Sequence, residues 1–311
     1  MFSRGTTVRG IVSTVTEDLA AVGIESAAAE ARLLVQAVTG WDDGQLMLQH
    51  NETVPKDSPL LTELPNLVAR RLMREPLQHI LGTAPMIGIE LKVGPGVFIP
   101  RPETELLVDW AVQQLQELPT APDERPLVFD LCTGSGAIAL AIADLVPDAE
   151  VIGVELDPTA LDWAEKNLRA QLSRWRDTHH VRFAQADVTD SARFSHLKGR
   201  AQVVVSNPPY VPDGTEVSPE VAVDPRHAVF GGSDGLDVIR PMLRTIVELL
   251  APGGVVGIEH DDDSGADVSD LMSAAGVFAD ITTHRDLAGR DRFTTARYLP
   301  KSQEVGESEE Q

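Results

Sequence analysis

Cysteine is almost absent from this sequence. Cys132 is the only one in 311 residues, so the chain cannot close an internal disulfide bond. Because disulfides are typical of secreted proteins, we expect a cytoplasmic protein. The first twenty residues interrupt their apolar side chains with charges, which predicts that no secretory signal is present. No apolar run approaches the roughly 18 residues that span a bilayer, so membrane insertion is not expected.

Basic residues are scarce relative to acidic ones. Lys and Arg number 26 against 48 Asp and Glu, which gives a formal net charge of −22 at pH 7. Because sequence-independent affinity for nucleic acids comes from Lys and Arg that neutralise phosphates, direct nucleic-acid binding is not expected. The acidity either serves solubility alone or favours a basic protein partner.

The pattern of apolar residues changes along the chain and predicts two domains. Ile11, Val15 and Leu19 recur at helical spacing near the start. A stretch with alternating apolar residues and many glycines and prolines follows, as expected of a hairpin. The predicted parts are a small N-terminal helical-bundle domain (1–81), a hairpin-like connector (82–102), an α/β domain (103–300) and a disordered acidic tail (301–311).

Three arginines lie in the last long helix predicted for the helical domain. Arg70, Arg71 and Arg74 either form a docking patch or lie on a solvated helix face. We interpret them as a solvated face, because charged runs on helices are most often exposed.

The α/β domain is predicted from five short apolar runs that alternate with helical segments. Such runs are typical of parallel strands buried on both faces. Two further β-like runs flank residues 288–291 too closely for a helical crossover, which predicts an antiparallel C-terminal hairpin. The predicted fold is therefore α/β, with a mostly parallel, Rossmann-like sheet. The five runs are LVFDL (127–131), VIGVEL (151–156), VRFAQA (181–186), AQVVVS (201–206) and VVGIE (255–259).

A glycine-containing turn follows the first of these runs. Gly134 and Gly136 in DLCTGSGAIA allow the backbone to approach a ligand at the N-terminus of the next helix. Glu155 follows at about the 20-residue spacing at which a carboxylate accepts hydrogen bonds from ribose hydroxyls. Asp187, after the third run, either accepts from an adenine amino group or caps a loop. These residues predict a ligand that contains a nucleoside.

The fourth run ends in the sequence VVVSNPPYVP (203–212). Pro208 and Pro209 cannot donate to a β-ladder, so the sheet ends there. Because the carboxyl ends of parallel strands meet at one edge, we expect Asn207 and Tyr210 to face the same ligand as the glycine turn.

Taken together, these residues resemble class I S-adenosylmethionine-dependent methyltransferases. In that resemblance DLCTGSG is the cofactor loop, Glu155 the ribose acid and Asp187 the adenine residue. NPPY is shared by enzymes that methylate planar amino nitrogens, both in DNA bases and in glutamine side chains. Four flanking segments resemble the HemK/PrmC family, which methylates N5 of the glutamine in the Gly-Gly-Gln motif of peptide chain release factors. They are EPLQHILG (75–82), FIPRPETELLV (98–108), HAVFGGSDGLDVIR (227–240) and DLAGRDRF (286–293).

The resemblance implies S-adenosylmethionine as cofactor, S-adenosylhomocysteine as product, no metal, and release factors docked by the helical domain. It implies that the Asn207 side-chain oxygen and the Pro208 carbonyl accept from the target amide. Pro209 stiffens the segment, and Tyr210 packs against the amide. The cofactor-binding residues that it implies are Phe98, Asp130, Cys132, Thr133, Gly134, Ser135, Gly136, Glu155, Asp187, Val188 and Asn207.

Two departures from the family pattern and two open roles remain at this stage. Cys132 stands where the loop commonly begins with glycine, and aspartates 261–263 stand where glutamine is frequent. Arg101 either belongs to a segment that closes over the site or pairs with Glu103 or Glu105. Asp130 binds either the loop backbone or the cofactor's amino group.

The alternative functions are a glutamine methyltransferase acting on a ribosomal protein and an adenine-N6 DNA methyltransferase. A catalytically idle binding module and an NAD-linked dehydrogenase are weaker alternatives. The net charge disfavours the DNA enzyme, and NPPY is unexplained in a dehydrogenase.

Overall fold

A computed structural model describes residues 6–118, 124–175 and 179–300, and the predicted acidic tail lies outside these ranges. Backbone contacts divide the chain into two units. One consists of Met1–Thr83 with Val217–Val223, and the other of Ala84–Glu216 with Asp224–Gln311. Among the described residues, no helix is both long enough and apolar enough to cross a membrane.

The first unit is helical. Its helices are α1 (Val8–Ala21), α2 (Ala27–Thr39), α3 (Asp43–Gln49), α4 (Pro59–Thr62), α5 (Leu64–Leu72) and α6 (Leu77–Leu81). The Thr7 hydroxyl caps α1, and Asp42 and Gln45 form a reciprocal capping box at the start of α3. Ile11 and Leu19 are fully buried in the core of this unit, as their spacing predicts.

Arg71 is buried in the helical unit, and its interpretation as part of a solvated face is wrong. Its side chain is 5% exposed, and it donates to Glu30 at 2.6 Å and to Glu220 at 2.8 Å. Arg74 also pairs with Glu220, at 2.8 Å. Glu220 comes from the short segment Val217–Val223, so these arginines anchor that segment within the helical unit.

The second unit contains the strands of the α/β fold. Its strands are β1 (Thr83–Met86), β2 (Ile89–Lys92), β3 (Leu127–Leu131), β4 (Glu150–Glu155), β5 (His180–Gln185), β6 (Ala201–Ser206), β7 (Leu250–Glu259), β8 (Phe278–Arg285) and β9 (Asp291–Tyr298). Its helices are α7 (Glu105–Glu117), α8 (Ala137–Leu145), α9 (Pro158–Leu172), α10 (Arg226–Val229), α11 (Ile239–Leu249) and α12 (Gly265–Ala275). A 3₁₀ turn, Pro102–Thr104, precedes α7. Strands β1 and β2 pair in a separate two-stranded sheet.

The seven remaining strands form one sheet in the order β5-β4-β3-β6-β7-β9-β8. The first five are parallel, and β8 and β9 complete the sheet as an antiparallel hairpin. This arrangement confirms the predicted mostly parallel sheet with its C-terminal hairpin. The chain builds outward from β3 to β5 and then returns to place β6 on the other side of β3. Such a reversal opens a crevice at the carboxyl ends of these strands, where open α/β sheets bind ligands.

The central strands of the sheet are buried on both faces. Along β3, Val128 packs in one apolar cluster while Phe129 and Leu131 pack in the other, because successive side chains point to opposite faces. Asp130 is the one ionisable residue of this strand and is fully buried near its carboxyl end. The core therefore holds the loop that follows β3 rigidly at the crevice.

Candidate active site

The loop between β3 and α8 is fixed by a buried carboxylate. Asp130 Oδ2 accepts from the Thr133 hydroxyl at 2.5 Å and from the Ala139 backbone N–H at 3.0 Å. Burial raises the pKa of Asp130 to about 7, against these two hydrogen bonds, which favour the charged form. Its other oxygen, Oδ1, is buried and has no hydrogen-bond partner among the described residues. Asp130 therefore binds the loop with one oxygen, while its other oxygen is buried without a partner among the described residues.

Three residues of this loop have a left-handed backbone. The φ angles are 62° at Cys132, 56° at Gly134 and 83° at Gly136. A side chain at Gly136 would also meet Phe183 at 2.9 Å, so glycine is required there by packing as well as by conformation. The departure at Cys132 now has a physical meaning, since a positive φ is the conformation for which glycine is preferred. Burial raises the pKa of its thiol, which keeps it protonated and unreactive.

The remaining loop residues lie inward. Thr133 and Ser135 are 5% and 2% exposed, and Val188 is buried in the core cluster on one face of the sheet. The Ser135 carbonyl accepts from the Asn167 side chain at 3.0 Å, which ties the loop to α9. These buried residues and the hydrogen bond to Asn167 therefore fix the conformation of the loop.

The two acids predicted to bind the nucleoside lie at the carboxyl ends of β4 and β5. Glu155 accepts from the backbone N–H of Gly134 at 2.8 Å, and its other oxygen accepts from the two backbone N–H groups that follow it. Asp187 accepts from the backbone and hydroxyl of Thr189, so it caps a loop. Asp157 caps α9, because its side chain accepts from the backbone N–H of Thr159. The acids from β4 and β5 thus meet the glycine loop along one edge of the sheet.

The NPPY segment follows β6 at the same edge and is held by two further side chains. Asn207 Nδ2 donates to the Thr104 hydroxyl oxygen at 3.3 Å, and the Tyr210 hydroxyl donates to Glu259 at 3.3 Å. The Thr104 hydroxyl lies close enough to Glu259 to lower the pKa of that carboxyl group. Thr104 and Glu259 therefore lie between the side chains of Asn207 and Tyr210, and Pro208, between these two residues in the sequence, is buried.

Glu259 is almost completely buried at the end of β7. Burial raises its pKa to about 7, while hydrogen bonds from Thr104 and Tyr210 and the nearby charge of Arg292 act in the opposite direction. Burial beside this carboxylate also raises the pKa of Tyr210 well above its usual value. Tyr210 is therefore a neutral donor whose ring position is set by Glu259.

A glycine-rich turn supports the backbone of the NPPY segment. A side-chain carbon on Gly231 would lie 2.5 Å from the Pro209 carbonyl oxygen, and one on Gly235 would overlap the Tyr210 carbonyl. The backbone N–H of Gly231 donates to the Val211 carbonyl at 2.9 Å. The motif HAVFGGSDGLDVIR therefore contributes backbone that packs directly under the tetrapeptide, and only glycine fits at these contacts.

Arg101 pairs with neither Glu103 nor Glu105. Its guanidinium binds the buried carboxylate of Asp224 at 2.7 Å and lies over the ring of Phe98, 5.1 Å from the centroid. Burial raises the pKa of Asp224 to about 6, against the attraction of Arg101. Arg101 thus contacts the half-buried ring of Phe98, and Asp224, which follows the NPPY segment in the sequence, fixes the position of Arg101.

Sequence reasoning missed three residues of this site. Thr104 lies within the motif FIPRPETELLV, and nothing in the motif singles it out. Glu259 is a carboxylate at the carboxyl end of a parallel strand, the same signal that identifies Glu155, so it was available to prediction. Asp224 has no comparable signal, because its importance depends on a partner 123 residues away.

A parallel sheet that brings a glycine loop, two strand-end acids and an NPPY segment to one crevice defines a class I methyltransferase. In agreement, residues 91–224 match the family model described as the methyltransferase small domain, and residues 11–82 match the PrmC N-terminal domain. The chain belongs to the family of release factor glutamine methyltransferases, as its relatives show.

Two curated relatives match this chain over nearly their full length. The release factor glutamine methyltransferase of Corynebacterium glutamicum is 44% identical over 91% of this chain and 96% of its own. That of Mycolicibacterium smegmatis is 43% identical over 96% of this chain and 100% of its own. A solved release factor-specific protein-(glutamine-N5) methyltransferase from Alicyclobacillus acidocaldarius is 28% identical over 67% of this chain and 99% of its own, with a TM-score of 0.39. The family assignment rests on the sequence relatives.

Proposed function

We propose that this protein transfers a methyl group from S-adenosylmethionine to N5 of the glutamine in the Gly-Gly-Gln motif of peptide chain release factors. The observation that carries the proposal is the NPPY segment at the ligand edge of a chain that belongs to the release factor glutamine methyltransferase family. The negative net charge supports a protein substrate over a nucleic acid. We place the reaction in the cytoplasm, where translation terminates.

The residues of the crevice fit S-adenosylmethionine. The unpartnered Oδ1 of Asp130 suits a cationic amino group, and the open space beside Gly134 admits a ligand close to the backbone. Glu155 already accepts three backbone N–H groups, and ribose hydroxyls would share its oxygens. The cofactor supplies a methyl group made electrophilic by a sulfonium.

A primary amide is a weak nucleophile, because its nitrogen lone pair is delocalised into the carbonyl. The work left to the protein is therefore positioning and electrostatics. In our proposal, Asn207 Oδ1 and the Pro208 carbonyl accept the two N–H groups of the target and aim its nitrogen at the methyl carbon. The nitrogen bonds that carbon while the carbon–sulfur electron pair stays on sulfur, and the nitrogen gives one proton to water.

The prolines and the tyrosine make this clamp rigid. The fixed φ of Pro208 and Pro209 limits movement of the accepting carbonyl, and neither residue presents an N–H that would compete with the target. Tyr210, held by Glu259, is placed to pack against the planar amide and to exclude water. We therefore assign Asn207, Pro208, Pro209 and Tyr210 to the catalytic segment.

Mass spectrometry tests the proposal. The full chain is incubated with S-adenosylmethionine and each purified release factor, and the Gly-Gly-Gln peptide is analysed. We expect a gain of one methyl group on that glutamine. Methylation of a ribosomal-protein glutamine or of adenine in plasmid DNA, with none on any release factor, would replace the proposed substrate by that one.

A further inference from the structure

The side-chain amide of Asn207 must face the target in only one of its two orientations. Its oxygen accepts hydrogen bonds, whereas its NH₂ group would point donors at a substrate that also presents donors. The two orientations have nearly the same shape, so packing alone separates them poorly. A specific hydrogen bond is needed to choose between them.

We infer that Thr104 and Glu259 act as positioning residues that fix the orientation of the Asn207 amide, so that Oδ1 faces the target nitrogen. This inference rests on the proposed function for its catalytic meaning. It also makes a statement about the Asn207 side chain that holds whatever the substrate is.

The count of protons in the hydrogen-bonded chain supports this inference. Ionised Glu259 is an acceptor only. The Tyr210 hydroxyl donates to it at 3.3 Å, and the nearby Thr104 hydroxyl acts on it as a donor that lowers its pKa. A threonine hydroxyl has one proton, so once that proton is directed to Glu259 the Thr104 oxygen can only accept. Asn207 must then present Nδ2 to Thr104, which agrees with the 3.3 Å contact between Nδ2 and the Thr104 hydroxyl oxygen.

Burial makes this relay specific. Thr104 is 2% exposed and Glu259 is 3% exposed, so water does not readily replace either partner. Glu259 is approached by Glu103 from the 3₁₀ turn, by Tyr210 from the NPPY segment and by Arg292 from β9. The relay needs the ionised carboxylate, because protonated Glu259 is able to donate to Thr104 and so release the threonine proton toward Asn207. Assays are therefore made at about pH 8.5, above the raised pKa of Glu259.

Two substitutions at position 104 distinguish the effect of the hydroxyl group from the effect of side-chain shape. In Thr104→Val the shape is kept and the hydroxyl is lost, and we expect kcat on a release factor to fall roughly 10- to 100-fold, as for other losses of positioning. The KM for S-adenosylmethionine stays within about threefold of the wild type. Thr104→Ser retains the hydroxyl and should restore most of kcat, whereas a purely steric role predicts that valine is the better replacement.

A double-mutant cycle tests whether Thr104 acts through Asn207. In an Asn207→Ala background there is no amide left to orient, so Thr104→Val should change kcat by less than about twofold. If Thr104→Val does not fold, Glu259→Gln provides a second test of the same positioning role. A glutamine donates as well as accepts, so this variant should also lower kcat in the wild-type background and have little effect beside Asn207→Ala.

A substrate-independent measurement separates failure of this inference from failure of the proposed function. The side-chain amide protons of Asn207, assigned by their loss in Asn207→Asp, should exchange with solvent faster in Thr104→Val than in the wild type or Thr104→Ser. Unchanged exchange, or a folded Thr104→Val enzyme with wild-type kcat, overturns the inference. If the wild type methylates no release factor, the function is wrong, and the exchange result alone decides the orientation.

Discussion

At the residue scale, Asn207 is the side chain on which the proposed transfer depends most directly. Asn207→Ala removes one of two acceptors for the target amide while leaving the cofactor loop intact. We expect turnover to fall about 100-fold with saturating S-adenosylmethionine, in the range for loss of one preorganised polar group. The rate is measured by methyl transfer to a release factor.

The control for this variant is binding of S-adenosylmethionine, followed by calorimetry or by the rise in melting temperature that a native-state ligand produces. Cofactor binding should be retained within a few fold. A variant that methylates the release factor at nearly the wild-type rate would show that Asn207 has a different role.

Gly235 is the residue at which a single methyl group should damage the site without touching a catalytic side chain. In Gly235→Ala the new carbon overlaps the Tyr210 carbonyl, and the residue has a φ of 77° that is unfavourable for alanine. We expect a loss of stability of about 1–3 kcal/mol and a lower kcat. The matched control is Gly253→Ala, which has a φ of 83° but no atom within 4 Å of the added carbon.

Urea unfolding and methyl transfer, measured on both glycine variants, separate the two effects. Gly253→Ala should lose stability through backbone strain alone and keep its kcat. Equal kcat values for the two variants would mean that the glycine turn does not position the NPPY segment.

At the scale of elements, Arg71 in α5 determines how the segment Val217–Val223 is held in the helical unit. Arg71→Met leaves the carboxylates of Glu30 and Glu220 without their buried partner. We expect a loss of about 3–5 kcal/mol in the free energy of unfolding, because breaking a buried ion pair leaves uncompensated charge. Arg70→Met is the control, since the Arg70 side chain is 37% exposed and, among the residues that the structure describes, forms an ion pair with Glu75 alone, which predicts a change of at most about 1 kcal/mol. Comparable losses for the two variants in urea unfolding would contradict the buried role of Arg71.

The elements of the sheet were predictable because their signals are local. The runs LVFDL and AQVVVS coincide with β3 and β6, and the short spacing around residues 288–291 correctly predicts the hairpin of β8 and β9. Burial on both faces produces continuous apolar runs, which can be identified in the sequence without a partner. The fold class and the C-terminal hairpin were therefore accessible from pattern and resemblance, whereas the order of the strands came from the structure.

What the sequence did not reveal depends on partners that are distant along the chain. Arg71 lies in the short helix α5 and Arg74 just after it, and Arg71 is buried because it pairs with Glu30 and Glu220. The Thr104–Glu259 contact joins two positions that no periodicity relates. The assignments of Glu155 and Asp187 to ribose and adenine remain predictions, since in this structure both carboxylates bind backbone groups.

At the scale of the whole molecule, three buried carboxyl groups give stability a definite dependence on pH. Burial raises the pKa of Asp130 and Glu259 to about 7 and that of Asp224 to about 6. Between their unfolded and folded pKa values the native state binds more protons than the unfolded state, so stability decreases as pH rises from about 4 to 7.

Burial lowers the pKa of His260 and His284, so these two side chains contribute stability that increases as pH rises toward the ordinary histidine value, and they offset part of that decrease. The depressed carboxyl groups act outside this range. Although burial opposes it, hydrogen bonds from Arg74 and Arg71 lower the pKa of Glu220 to about 2. Its contribution is therefore complete above the unfolded pKa and is lost only as pH falls toward 2. We expect the melting temperature to decrease from pH 5 to pH 8.

Scanning calorimetry in 0.5 M NaCl checks this prediction, because salt screens the repulsion that arises from the net charge of −22. Asp224→Asn removes one titrating group and should reduce the slope of melting temperature against pH. A melting temperature that rises between pH 5 and pH 7 would show that the three carboxyl groups are already ionised in the native state at the lower pH.

The pairing of Arg71 with Glu220 has a consequence for the order in which the protein is synthesised. The two residues are 149 positions apart, so at about 5–20 residues per second the ribosome produces Glu220 roughly 7 to 30 seconds after Arg71. During that interval the nascent helical unit contains Arg71 with Glu30 and the Glu75 carbonyl as partners but without Glu220. The N-terminal helices therefore emerge first but reach their final ion pairing only after the NPPY segment has been translated, so the helical unit is completed after that segment of the α/β unit has been synthesised.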